Sequence, residues 1–478
     1  MARRVEVRDG RTLEAYESVA HLAPAVGRLR GVAARVVPRL EGRTVWMVNS
    51  TEKGGGVAEM LPGVVTLLRD LGVATEWVVL ESDDPAFFPL TKNLHNLIHG
   101  AGRPDLGPGD RHRYEAVVRQ NARRMRPWLA RGDVLAVHDP QPMGLASALE
   151  DVGLHALWRC HIGLDAATPE TRAAWTFLAP YAAAYRRALF SAPEYVPDLF
   201  AGRASVLFPA LDPLAHKNRD LSLHKLVGVL ANAALAAAPT PVLPPMYPHV
   251  AERLQPHGAY APANMSEDIG LLTRPIVTQI SRWDALKGWR PLLDAFVCLK
   301  ERAREERAAR DEGPVHRRRL DLVRLVLAGP EPAAVEDDPE SREVLEGLEA
   351  RYLELPPHIQ RDVALLALPM ADRAQNALMV NALQSSSSVV VQNSIREGFG
   401  LTVTEGMWKG VPVLTSAKAC GPRHQVRDGI DGRLVHDPAD VEEVCGTLDA
   451  MLRASEDRDR WGRNAQRHVH DRFLIFSQ

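Results

Sequence analysis

Two carboxylates eight positions apart, Glu397 and Glu405, flank the turn Gly398-Phe399-Gly400-Leu401-Thr402. The turn follows Val389-Val390-Val391-Gln392, which reads as a buried strand, so the local order is strand, loop, helix N-terminus. Such a helix start suits a phosphate, because the first backbone N–H groups lack internal partners and the helix dipole is positive there. Glu405, one to two turns into the helix, can accept hydrogen bonds from a vicinal diol such as a ribose, and Glu397 from sugar hydroxyls. The alternative is a loop glutamate and a helix-surface glutamate with no shared task.

Further groups stand where an α/β sheet puts its ligands, at the C-terminal ends of strands. Arg282 and Lys287 stand just beyond the predicted strand Val277-Thr278-Gln279-Ile280-Ser281 and are placed to reach a diphosphate. His138 and Asp139 end one strand, with Gln141 just beyond, and Arg159 and His161 end another. Gly54-Gly55-Gly56 sits in the first strand-to-helix turn and permits close backbone approach, although it does not match the G-x-G-x-x-G fingerprint. The pairs Asp83-Asp84 and Asp337-Asp338 read as loop acids, so no metal is assigned.

These groups must be carried by elements of the right kind. Strands are predicted near 44–50, 73–80, 133–138, 156–162 and 205–210, with helices between them, including 57–71, 112–130 and 171–189. A second set follows the proline-rich segment 239–263, with strands near 275–281, 321–328, 362–366, 388–392 and 411–415. Its helices are predicted near 287–310, 340–354, 372–383, 402–409 and 440–453. The alternation means parallel sheets covered by helices, and two such sheets leave a cleft. The predicted division is a domain 1–262 with a helical insert at 221–238, a domain 263–460, and a C-terminal segment 461–478 packing back toward the first domain.

Composition sets the outer bounds. At 478 residues the chain is too long for one ordinary core, and 46% hydrophobic with 25% charged residues is the balance of a soluble globular protein. A formal net charge of −2 does not point to a polyanion, and the mixed-charge run 300–319 reads as a solvated helix face. Cys160, Cys298, Cys420 and Cys445 show no C-x-x-C spacing, so neither a zinc site nor a disulfide framework is expected and a cytoplasmic location is the default. The start lacks an apolar signal region, and the longest apolar run, Leu226–Ala238, is too short to span a bilayer and reads as a buried helix.

Glu397-x7-Glu405 with its Gly-Phe-Gly-Leu core resembles the signature of retaining glycosyltransferases of family 4. The wider string through Met407-Trp408-Lys409-Gly410 is similar to that of the trehalose synthases within it. Val48-Asn49-Ser50-Thr51 before the glycine triplet, His138-Asp139-Pro140-Gln141-Pro142 and Trp158-Arg159-Cys160-His161-Ile162 agree in order. The resemblance, from about residue 40 to the C-terminus, implies a GT-B fold: two Rossmann-like α/β/α domains facing each other across a cleft. It implies transfer of glucose from UDP- or ADP-glucose to glucose with retention, forming trehalose, with no cofactor or metal. Catalytic roles fall to Glu397, Arg282, Lys287 and His161. Donor binding falls to Glu405, Gly398, Phe399, Gly400, Leu401, Thr402, Gly55 and Gly56, and acceptor binding to His138, Asp139, Gln141 and Arg159. Partners are the nucleotide-sugar donor and a sugar acceptor, without nucleic acid or membrane; a homodimer is compatible with the sequence. Two departures stand out: Gly163 where the synthases carry Asp after Arg-Cys-His-Ile, and Cys420-Gly421-Pro422 in place of a Gly-Gly-Ile stretch. Competing readings are trehalose phosphorylase, a family 4 transferase with another acceptor, a sugar-nucleotide epimerase and a non-catalytic sugar-binding protein.

Overall fold

The computed structural model describes residues 2–7, 10–52, 56–237, 247–265, 267–310, 318–335 and 339–476. The chain divides into two compact units, Met1–Pro209 with Ile475–Gln478, and Ala210–Leu474.

The first unit holds β1 (Arg3–Val5), β2 (Val45–Asn49), β3 (Thr75–Val79), β4 (Val134–His138), β5 (His155–Cys160), β6 (Arg187–Phe190) and β7 (Ala204–Val206). Their order is β1-β3-β2-β4-β5-β6-β7. All neighbours pair in parallel except β1, an antiparallel edge strand on β3. Every residue of β2, Val-Trp-Met-Val-Asn, is buried, as expected for a parallel strand covered on both faces. Val45, Met47 and Ala136 pack on Leu61 and Val65 of helix Gly56–Asp70. Strand order reverses between β2 and β4, which makes their C-terminal ends the place for a ligand.

The second unit holds β8 (Glu252–Leu254), β9 (Tyr260–Pro262), β10 (Ile276–Ile280), β11 (Arg324–Pro330), β12 (Val363–Leu368), β13 (Val389–Gln392), β14 (Val413–Ser416) and β15 (Gly432–Val435). The order is β15-β14-β13-β10-β11-β12-β8-β9, with β10 to β15 parallel and the β8–β9 hairpin added antiparallel to β12. Here the order reverses between β10 and β13. One face packs Leu292, Phe296 and Leu299 of helix Trp289–Ala309 on Leu325, Leu327 and Val389. The other packs Met379, Val380 and Leu383 of helix Arg373–Ser385 on Val326, Ala328 and Ile276.

Several expectations need correction. The compact units divide at Pro209/Ala210 rather than near 262, because the intervening stretch builds onto the second sheet. Val229 and Leu230 of helix Leu223–Asn232 join the core formed by Met379 and Leu383, and β8–β9 lengthens the sheet. Helix Ser455–Arg472 belongs to the second unit, anchored by Trp461 Nε1 on Gly429 O (2.7 Å) and Gln466 Nε2 on Trp408 O (2.9 Å). Only the last residues join the first unit, where Phe476 meets Tyr16 edge-on at 4.8 Å. The helix predicted over 171–189 ends at Ala182, and the alternating Arg187-Ala-Leu-Phe190 forms β6 instead. Lys300 is no solvated face: it is buried and pairs with Asp362 at 2.9 Å. Cys298 and Cys445 form a disulfide between helices Trp289–Ala309 and Val441–Arg453, a pairing their separation in sequence hid. Gly54, Gly55, Asp337, Asp338 and residues 239–246 lie outside the described residues. Among those described, no helix is long and apolar enough to cross a membrane.

Candidate active site

In the second unit the loops after β10 and β13 meet at the strand reversal. The first loop is pinned by two tryptophans: Trp283 is fully buried and donates to Pro330 O (2.7 Å), and Trp289 donates to Arg282 O (3.2 Å). Buried amides then stitch the two loops together. Gln279 Nε2 donates to Lys287 O and its Oε1 accepts from Asn393 N, both at 2.9 Å. Asn393 Nδ2 donates to Gly288 O (3.1 Å), and Ile395 N to Leu286 O (2.8 Å). The result is that Lys287 Nζ lies 2.5 Å from Glu397 Oε2, with the side chains 11% and 16% exposed. Gln392 Nε2 also donates to Glu397 Oε2 (3.4 Å). The ammonium has three donors, so one spent on Glu397 leaves two for an anion. Arg282 is not drawn in: it is 76% exposed and lies 3.7 Å from Asp284.

Gly400 begins helix Leu401–Trp408 at φ +80°, and a Cβ there would fall 2.9 Å from Glu397 Cγ. Glycine is therefore required both for the left-handed backbone and to leave room for the glutamate. Phe399 is buried, whereas Leu401 is exposed at the helix start. The departure at 420–425 preserves this turn. Helix Cys420–Gln425 sets Gln425 Nε2 on Gly400 O at 3.4 Å, and a side chain at 421 would strike Phe399 Cα at 2.2 Å. Glu405 is buried on the same helix, with Oε1 3.6 Å from Lys217 Nζ and Oε2 3.5 Å from Gln384 Nε2. Lys217 and Gln384 had no signal in the sequence pattern.

In the first unit a second polar site forms at the ends of β4 and β5. His138 Nδ1 lies 2.9 Å from His161 Nε2, and the rings stack at 5.3 Å. Burial lowers His138 to about 3 and takes His161 well below its usual range, so both imidazoles are neutral. Asp139 takes φ +64°, and its Oδ1 accepts from His161 N (2.9 Å) while its carbonyl accepts from Trp158 Nε1 (2.9 Å). Burial raises the Asp139 carboxyl to about 6 and lowers buried Arg159 to about 10. Among the described residues His138 Nε2, Gln141 Oε1 and Arg159 Nη1 are buried without a hydrogen-bond partner. Three such atoms at one pair of strand ends mark a place for a polar ligand, since each costs free energy while unpaired. Gly163 has its own reason: the Tyr195 ring fills the space, 2.2 Å from where a Cβ would stand, and Asp165 lies exposed. Of the glycine triplet only Gly56 is described, as the first residue of its helix.

Residues 47–197 match the family described as trehalose synthase, N-terminal domain, and residues 374–468 match glycosyl transferases group 1. The chain is 33% identical to the trehalose synthase of Pyrococcus horikoshii over 91% of this chain and 88% of that one. It is 26% identical to the trehalose phosphorylase of Pleurotus pulmonarius over 84% of this chain but 51% of that protein. An α,α-trehalose-phosphate synthase (UDP-forming) from Burkholderia vietnamiensis shares the fold, with a TM-score of 0.62 at 16% identity, covering 91% of this chain and 96% of that one. Two mainly parallel α/β units of this topology, with these matches, define a GT-B glycosyltransferase. The chain belongs to the trehalose synthase family, a group of trehalose-related glycosyltransferases.

Proposed function

We propose that the protein transfers glucose from UDP- or ADP-glucose to free glucose with retention, forming trehalose without a metal. The observation that carries this reading is the contact between Lys287 and Glu397 at the strand reversal of the second sheet, beside a glycine-started helix. Lys287, with the exposed Arg282 swung in from its place beside Asp284, takes the diphosphate, where a fixed cation stabilises the charge growing on the leaving oxygens. Glu397 accepts hydrogen bonds from the sugar being transferred and Glu405 from the ribose. His161, His138, Gln141 and Arg159 take sugar hydroxyls in the first unit, the last three through the atoms left unpaired there. No side chain is offered as a covalent nucleophile. The acceptor attacks on the face the leaving group departs from, and the departing phosphate oxygen takes the acceptor's proton.

The test is incubation with UDP-glucose or ADP-glucose, with and without glucose, following nucleoside diphosphate and disaccharide. Equal amounts of both products, dependent on glucose, are expected. Disaccharide cleaved only with inorganic phosphate would make it a phosphorylase, and nucleotide released without disaccharide would remove the assigned acceptor.

A further inference from the structure

Lys217 reaches Glu405 from a non-helical turn that belongs neither to the motif nor to either of the loops described above. The turn is held on both sides of the lysine. Asn381 Nδ2 donates to His216 O (3.0 Å) and Arg219 O (2.9 Å), and Trp408 Nε1 donates to Asn218 O (3.0 Å). Asn381 and Gln384 are three apart on helix Arg373–Ser385, and Glu405 and Trp408 are three apart on helix Leu401–Trp408, so each pair shares a helix face. The helix that presents Gln384 to the Glu405 carboxylate and the helix that carries Glu405 thus each use a residue one turn away to grip the backbone that delivers the ammonium. Lys409, half-buried, donates from Nζ to Glu405 O (3.2 Å).

A lysine on an exposed glutamate contributes little. Glu405 is only 6% exposed, however, and a carboxylate so placed needs a compensating charge. We propose that Lys217 is a positioning residue for the ribose end of the donor: with Gln384 it holds the Glu405 carboxylate in one orientation, leaving its other lone pairs for the ribose diol. A carboxylate offers about four acceptor sites; Gln384 takes one, and Lys217 at 3.6 Å acts as a nearby charge, so sites for a diol remain. The inference rests on the reading of Glu405 as the ribose ligand.

The experiment compares inhibition by the product nucleoside diphosphate with inhibition by inorganic pyrophosphate, which has no ribose. In Lys217→Met the donor KM and the nucleoside diphosphate inhibition constant rise roughly tenfold, the loss expected for one charge-assisted contact. Pyrophosphate inhibition and kcat stay near wild type, a split that a merely structural defect would not produce. Lys217→Gln serves the same purpose if the Met variant does not fold, as judged by its melting curve. Glu405→Ala is measured alongside. If it leaves nucleoside diphosphate inhibition unchanged, the ribose assignment of Glu405 falls and the inference with it. If Glu405→Ala weakens that inhibition while Lys217→Met does not, or if Lys217→Met weakens pyrophosphate equally, the positioning role alone is overturned.

Discussion

At the strand reversal of the second sheet two formal charges, Lys287 and Glu397, lie in contact, and Glu405 nearby is likewise met by a lysine. At the strand ends of the first sheet the corresponding pair is two neutral imidazoles, His138 and His161, next to buried polar atoms that have no partner among the described residues. The second unit compensates its buried charges internally, and a charged ligand can enter by exchanging with an existing ion pair. The strand ends of the first unit offer His138 Nε2 and Gln141 Oε1, unpaired among the described residues, beside two neutral rings, which suits an uncharged ligand rich in hydroxyls. The second unit has unpaired atoms of its own at Gln384 Oε1 and Asn393 Oδ1, so the contrast lies in the Lys287–Glu397 charge pair. One topology therefore carries two electrostatic strategies, one suited to an anion and one to an uncharged hydroxyl-rich ligand.

The sharpest way to break the contrast is to remove the cation from the charged site. Lys287→Ala is expected to lower kcat by roughly a hundredfold or more, the effect of deleting one preorganised donor to a developing anion. Turnover near wild type, with donor varied at saturating glucose, would remove Lys287 from the diphosphate. In the neutral site His138→Phe keeps a ring but loses both nitrogens. It is expected to raise the KM for glucose about tenfold, the cost of one lost hydrogen bond to a buried group, and to leave the donor KM alone. A change in donor KM instead would erase the division between the two sites.

The same contrast has a pH signature. A histidine whose folded value lies below its unfolded 6.5 contributes stability that is present above 6.5 and lost as pH falls toward the folded value, about 3 for His138. Asp139 opposes this: the penalty for ionising its buried carboxyl is full above about 6 and is relieved as pH falls to 3.8. Two rings against one carboxyl give a net loss on acidification, so the melting temperature should fall between pH 7 and pH 5, and His138→Phe should flatten that slope. Parallel slopes in the two proteins would show that the imidazoles do not titrate as their burial requires. The smallest effect expected is none: if Lys287 and Arg282 hold the diphosphate as proposed, turnover should persist in excess EDTA. Complete and reversible loss on chelation would reveal a metal that this account lacks.

Legibility in the sequence followed the range of the physics. The strand Val389–Gln392, the turn at Gly400 and the helix from Leu401 were readable because they depend on local apolar runs and on one residue that tolerates φ +80°. The ends of β4, β5 and β10 were placed to within a residue or two for the same reason. β6 was hidden under a helical reading because a four-residue strand offers too little period to outweigh the helix before it.

What the sequence by itself determined is the set of parts: alternating strands and helices, a glycine-started helix with Glu397 and Glu405, cations after β10, and histidines after β4 and β5. Tertiary structure decided which of these meet. Lys287 contacts Glu397 because β10 lies beside β13, with β11 and β12 on its other side, and no local pattern records that order. Lys217 reaches Glu405, Cys298 reaches Cys445, and β8 and β9 join the second sheet for the same kind of reason. Each contact is set by packing between segments far apart in the chain, where burial of apolar faces chooses the neighbours and the polar groups must then find partners among whatever has been brought together.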